Sequence, residues 1–349
     1  EEGAAAMELS GAQNGTPGAR QATLPSPSRL TDNVFAFQRT AALRAAVGLD
    51  VFTAIGEGHD TPVMLSQRCA AAERGVRVLC DFLVGLGLLD RTEGRYVAAP
   101  DAATYLDRRS PRFIGDALDF AASETIIKAV LSDPVAMVRE GRTILGEADH
   151  FVAPDHADWR TYARAVAPMM ASSAAFLAEL VTSREGALRR ILDIAAGPGQ
   201  NGIALAKRLP DAQVTAIDWP SVLEVAAENA RAAGLRERWS AQPGNAMETE
   251  FGGPYDVALV VRFLHLLAPR QREALLHRVH AALAPGGRLV VLQIMLNDDR
   301  VSPAFAAATP SGEVPTAGEV ETALRKVGFE RLEWHDLPGA DERIVIAWK

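Results

Sequence analysis

The chain has 349 residues, 48% apolar and 23% charged, with a formal net charge of −8 and a pI near 5.5. That composition belongs to a globular protein in water, too long for one small core, and its acidity argues against a nucleic-acid partner, which would favour a basic face. Cys69 and Cys80, with no CxxC spacing and no neighbouring histidine, give neither a disulfide framework nor a zinc site, and no run approaches 18 uninterrupted apolar residues. A reducing cytoplasm and no membrane span are therefore expected.

Residues 1–30 hold Gly, Ala, Ser and Pro without periodicity and read as a disordered tail. Residues 31–110 carry short amphipathic helices. In Gln38–Ile55 the positions Leu43, Val47, Phe52 and Ile55 recur at helical spacing, Thr61-Pro62 fits an N-cap followed by proline, and Val76–Leu89 is a third helix. LLDRTEGRYVAAP then reads as a hairpin turning at Glu93-Gly94. Helices followed by a hairpin make a winged-helix arrangement. The face that would enter a DNA groove carries only scattered Arg68, Arg74 and Arg77, which favours a dimerisation role.

Residues 111–185 are expected to be helical, with breaks at Ser132-Asp133-Pro134 and Ala153-Pro154-Asp155. Trp159, Tyr162, Val166, Met169, Met170 and Phe176 recur at roughly helical intervals. A packed helix explains most of them. Methionines and aromatics also make an adaptable wall for a flat apolar ligand, so Trp159, Tyr162, Met169 and Met170 are candidate substrate contacts, with His150 and His156 possible neighbours.

From residue 186 onwards strands alternate with helices: strands near 191–196, 213–218, 238–242, 255–261 and 288–294, then two more in FERLEWHDL and RIVIAWK. The expected fold is α/β, a seven-stranded doubly wound sheet whose last pair is antiparallel, binding its ligand at the carboxyl ends of the strands. The run ILDIAAGPGQNGIALAKRLPDAQVTAID reads as strand, glycine turn, helix and second strand. Gly197 and Gly199 let a nucleoside approach the backbone, and Asp218 is placed to accept the hydroxyls of a ribose, with Trp219 beside it. Gly197, Gly199 and Gly202 also fit the G-x-G-x-x-G spacing of a dinucleotide site. Asp193, four residues before the first glycine, separates the two readings, because a cationic sulfonium amino acid gains from that carboxylate and a pyrophosphate does not.

Asn245 and Ala246, after the third strand, are candidates for an adenine edge and ring. His265 follows the fourth strand in RFLHLLAP and is the candidate general base, and Arg262 would contact the cofactor or orient that histidine. The remaining histidines form no metal spacing, and no metal is expected.

LDIAAGPGQNGIALA, AIDWPSVLEVAAENA, PGNAM, RFLHLLAPRQREALLHRVHAALAPGGRLVVLQ and DWRTYARAVAPMM together resemble the winged-helix, acetylserotonin-type O-methyltransferases, especially the bacterial members of secondary metabolism, over about residues 30–349. The resemblance implies a class I Rossmann-like methyltransferase domain at 186–349, helical pocket residues at 111–185 and a dimerisation domain at 31–110. It implies S-adenosylmethionine (SAM) as cofactor, S-adenosylhomocysteine (SAH) as product, and a homodimer without metal. It makes Gly197 and Gly199 the cofactor loop, Asp218 the ribose ligand, Asn245 an adenine contact and His265 the base that deprotonates a hydroxyl of a small aromatic or polyketide-like metabolite. Three departures stand out. Leu266 replaces the acid that usually follows the histidine, Gln293 stands where an acid usually steadies it (Glu313 being a candidate substitute), and VSPAFAAATPSGEVPT is shorter than in relatives. Carbon or nitrogen methylation on the same scaffold, or a SAM-binding homologue without transfer, stays open on the sequence.

Overall fold

A computed structural model describes residues 26–140, 157–184, 186–296 and 314–349. His150, His156, the Ala153-Pro154-Asp155 break and Glu313 lie outside the described residues. The described residues divide into two units, one ending at Ala41 and the other beginning at Ala42. The first contains α1 (Ser28–Val34), which begins inside the stretch read as tail, and the start of α2 (Phe37–Gly48).

In the second unit, α3 (Val51–Gly56), α4 (Pro62–Arg68), α5 (Glu73–Gly85), the hairpin β1 (Leu89–Thr92) and β2 (Arg95–Ala98), and α6 (Pro100–Tyr105) close around Val47, Phe52, Leu65, Val76, Leu83 and Tyr96. The single helix expected over Gln38–Ile55 is two. Gly48 ends α2, and Asp50 takes a left-handed φ of 54°, which a short polar side chain tolerates. Thr61 caps α4 by accepting the Met64 amide hydrogen at 3.3 Å, with Pro62 at the first helical position. Glu93 and Gly94 both have positive φ, 51° and 77°, as a two-residue hairpin turn requires.

Next come α7 (Gly115–Ala121), α8 (Glu124–Leu131) and α9 (Pro134–Glu140), the last two separated by the expected break, where the Asp133 carboxylate accepts the Ala136 amide hydrogen at 2.9 Å. The long α10 (Ala157–Thr182) follows. By length and composition alone its stretch Trp159–Thr182 would pass for a membrane span. In the fold its residues Leu177, Ala178 and Val181 are fully buried and pack into the core beneath the main sheet.

That sheet is built from β3 (Arg190–Ile194), β4 (Gln213–Asp218), β5 (Trp239–Pro243), β6 (Tyr255–Val261), β7 (Leu283–Ile294), β8 (Arg331–Asp336) and β9 (Glu342–Trp348), interleaved with α11 (Gln200–Arg208), α12 (Pro220–Ala232), α13 (Pro269–Ala282) and α14 (Ala317–Val327). The strand order is β5-β4-β3-β6-β7-β9-β8, with β9 antiparallel to both its neighbours and the other pairs parallel. Helices cover both faces, so β6 reads as a nearly unbroken apolar run, YDVALVV. Strand β7 begins at Leu283, earlier than expected. Tyr255 pairs with Leu283 and Val257 with Arg288, so Pro285-Gly286-Gly287 forms an irregularity within the strand rather than a loop before it. The winding reverses between β3 and β6, which opens a crevice at their carboxyl ends.

Candidate active site

Strands β3 and β6 are each followed at the crevice by a non-glycine residue in the left-handed region. Ala195 and Arg262 both have φ of 52°. Such a backbone costs about 1–3 kcal/mol and persists only where surrounding contacts fix it. Beyond Ala195 the chain enters the glycine loop. Gly199, at φ 78°, immediately precedes α11, and a Cβ there would lie 3.1 Å from Ala226 Cβ. At Gly202 a Cβ would fall 2.8 Å from an Asp193 carboxylate oxygen and 2.9 Å from Val214 Cγ1.

Asp193 itself is 1% exposed, and its Oδ2 accepts the Gly202 amide hydrogen at 3.0 Å. It therefore satisfies an orphan donor in the first turn of α11. It is not among the residues that line the cavity described below. Burial pushes its carboxyl up to about 7; the Gly202 amide opposes this and the nearby Asp218 adds to it. Asp218, at the end of β4, accepts the Gly197 amide hydrogen at 2.8 Å on one oxygen and that of Trp219 at 2.7 Å on the other. Burial raises its carboxyl to about 6, the two amides acting in the opposite sense. The Asn229 amide donates to the Pro198 carbonyl at 2.9 Å and ties the loop to α12.

A cavity of about 480 Å³ opens at this loop, within the range of small-molecule sites. Gly197, Asp218 and Trp219 line it from the first two strands, Arg262 and His265 from the segment after β6, and Trp159, Tyr162 and Met170 from α10. Phe120 of α7 joins them, with its ring centroid 5.2 Å from that of Tyr162, and Trp159 lies 5.9 Å from Tyr162. His265 sits in a short turn, Leu264–Leu266. Burial, reinforced by the positive charges of Arg272 and Arg262, pushes its imidazole down to about 4, so at neutral pH it is an uncharged proton acceptor.

Arg262 is gripped rather than free. Its Nε and Nη2 donate to the two carboxylate oxygens of Glu342, both at 2.5 Å, and Nη2 also reaches Ser173 Oγ at 3.3 Å. Its Nη1 is buried and has no hydrogen-bond partner among the described residues. Glu342 lines the same cavity, carried there by the pairing of β9 with β7 that sets it opposite Ile294. No local motif marks Glu342 or Phe120, and sequence reasoning missed both.

Gly199, Asn245, Ala246 and Met169 also stand off the cavity wall. Asn245 spends its side chain locally, accepting the Met247 amide hydrogen at 2.9 Å and donating to Glu248 at 3.2 Å. Ala246 is buried in the core. Met169 is 48% exposed, because neighbouring helical positions point about 100° apart and Met170 takes the inward one. Gln293 is wholly buried, and neither its amide oxygen nor its nitrogen has a partner among the described residues. No group of three metal-ligating side chains occurs among the described residues.

These residues fit an amino-acid nucleoside such as SAM. The glycine loop permits close approach, a carboxylate ends the second strand, and a buried guanidinium nitrogen lacks an acceptor among the described residues. Residues 191–287 match the family profile of a methyltransferase domain, and residues 31–108 match that of an O-methyltransferase dimerisation domain. The tetracenomycin polyketide synthesis 8-O-methyl transferase of Streptomyces glaucescens is 30% identical, over 90% of this chain and 95% of that one. The 3-hydroxy-5-methyl-1-naphthoate 3-O-methyltransferase of Streptomyces sahachiroi is 26% identical, over 80% and 81%. Among solved structures, a Nostoc punctiforme protein assigned to the O-methyltransferases superposes with a TM-score of 0.86 at 38% identity, over 93% of this chain and 100% of that one. Human N-acetylserotonin methyltransferase in complex with SAM shares the fold, with a TM-score of 0.78 at 21% identity over 94% and 99%.

Proposed function

The chain belongs to the SAM-dependent O-methyltransferases that carry an N-terminal dimerisation domain, and on that footing we propose that it methylates a hydroxyl of a flat aromatic or polyketide-like metabolite, with His265 as general base. The observation that carries this reading is the shared cavity. The glycine loop with Asp218, an uncharged His265 and the ring wall of Trp159, Tyr162 and Phe120 all line it. The two Streptomyces relatives are named for a naphthoate and a polyketide, acceptors of the same shape.

When bound, SAM supplies an electrophilic methyl group on a sulfonium. The protein's part is to hold, orient and deprotonate. Asp218 keeps a second lone pair on each oxygen and would accept the ribose hydroxyls, while Gly197 and Gly199 would shape the loop against the nucleoside. Trp219, which lines the cavity, would hold the adenine, and Asn245 and Ala246 would border it through the backbone that follows β5. Arg262 would donate its spare nitrogen to the carboxylate of the methionine moiety. Asp193 acts through the loop it anchors. Trp159, Tyr162 and Met170 stack the acceptor ring, and His265 removes the proton from its hydroxyl, turning a poor nucleophile into a good one. The helices and hairpin of residues 31–110 act as a winged-helix module that pairs two copies of the chain in the cytoplasm.

His265→Ala should lower methyl transfer to a phenolic acceptor by roughly 10²–10⁴-fold, the usual contribution of a positioned base, while SAH affinity measured by calorimetry stays within a few fold. Unchanged turnover would remove His265 from this role.

A further inference from the structure

The ion pair between Arg262 and Glu342 joins two strand ends 80 residues apart in sequence and lies in the cavity wall, where both residues are largely buried. Arg262 also holds a left-handed backbone conformation that a long side chain adopts only under constraint. A guanidinium presents five N–H donors in a rigid fork. Here Glu342 occupies two of the three nitrogens, Ser173 shares one of them, and the third is buried without an acceptor among the described residues. Fixing two nitrogens of a planar group fixes the direction of the third.

We propose that Glu342 is a positioning residue of the cofactor site: by gripping Arg262 on two nitrogens, it presents the remaining one to the carboxylate of a bound amino-acid nucleoside. Glu342 thereby sets how well the protein distinguishes nucleosides that carry that carboxylate from those that lack it. This rests on the reading that Arg262 meets the cofactor carboxylate. Charge alone gives the opposite expectation. Glu342 is negative, and removing it would by itself tighten a carboxylate beside Arg262. Weaker binding is therefore a signature of lost geometry.

The test is calorimetric titration of the full chain with SAH and with 5′-methylthioadenosine, which keeps the nucleoside and sulfur but has no amino-acid end. Wild type is compared with Glu342→Gln, Glu342→Asp and Arg262→Ala. Glu342→Gln should weaken SAH about tenfold and leave 5′-methylthioadenosine within about twofold, with Glu342→Asp in between. Retained binding of 5′-methylthioadenosine also shows that a variant is folded. Adding Glu342→Gln to Arg262→Ala should cost nothing further, because the two act as one unit. If Arg262→Ala leaves the ratio of the two affinities unchanged, the cofactor reading of Arg262 fails and this inference with it. If Arg262→Ala shifts the ratio but Glu342→Gln leaves SAH unchanged or tighter, only the role of Glu342 is overturned. Equal loss of both nucleosides in the Gln and Asp variants would also overturn it, reducing Glu342 to a strut of the fold.

Discussion

Asp193 and Asp218 are carboxyls that burial holds nearer neutrality than water would, and this ties the protein's stability to pH. A carboxyl raised in the folded state binds more protons there than in the unfolded chain. Its stabilising contribution is fully present below its ordinary value near 4 and is lost as pH climbs through about 6 for Asp218 and about 7 for Asp193. His265, lowered to about 4, behaves oppositely, contributing above its ordinary 6.5 and losing that as pH falls through about 4. Without cofactor, Asp193→Asn should match wild type near pH 4.5 and become more stable than it by about 1–3 kcal/mol at pH 8, read from urea midpoints. A difference independent of pH would contradict the burial argument. At this scale the place of Gly197, Asp218 and His265 in one cavity wall was legible because each follows or ends a strand whose neighbours in sequence are its neighbours in space. Glu342 and Phe120 reach the cavity through distant pairing and helix packing, which no local spacing encodes. Asp193 was legible as important, but its partner turned out to be a backbone amide of α11.

The glycine loop works as an element because its helix can approach β3 and β4 closely. Gly202 has no room for a methyl group between Asp193 and Val214, and the Asp193 carboxylate is itself buried and accepts the Gly202 amide hydrogen. Gly202→Ala should destabilise the protein by about 1–3 kcal/mol, the usual cost of overpacking, and weaken SAH as the loop shifts. Urea denaturation and calorimetry read the two effects, and an unchanged midpoint would show that the contact yields easily. Periodicity located α10, α11 and α14 well because their buried faces are regular. It failed at Leu49-Asp50, where one left-handed residue splits a helix without changing its apolar spacing, and at Leu283, where sheet pairing overrides the punctuation of Pro285-Gly286-Gly287. Met169 shows the same limit within one helix, since a stripe read to within one residue leaves its edges undecided.

For the whole molecule, the order of strands and helices after residue 186 was legible because parallel strands buried on both faces read as apolar runs punctuated by turns. Assembly is a separate matter, carried by surface. Val78, Phe82 and Val97 of the N-terminal domain are 57%, 38% and 53% exposed, although each belongs to an ordered helix or strand. Exposed apolar side chains become a contact surface where they lie together in one patch, which makes these three the positions to test. If residues 31–110 pair two copies of the chain as proposed, sedimentation should show a dimer for wild type and a shift towards monomer for Phe82→Asp, with SAH affinity retained. A dimer unaffected by Phe82→Asp would move the interface elsewhere.

The most direct test of the account is the identity of the methylated atom. Incubating the protein with SAM labelled at the methyl carbon and a hydroxylated naphthoate acceptor, then recording the carbon spectrum of the product, distinguishes a methoxy carbon from one bound to ring carbon or nitrogen. A methoxy signal formed by wild type and lost in His265→Ala is the predicted result. A label on carbon or nitrogen, or a methoxy signal that persists at full rate without His265, would contradict it.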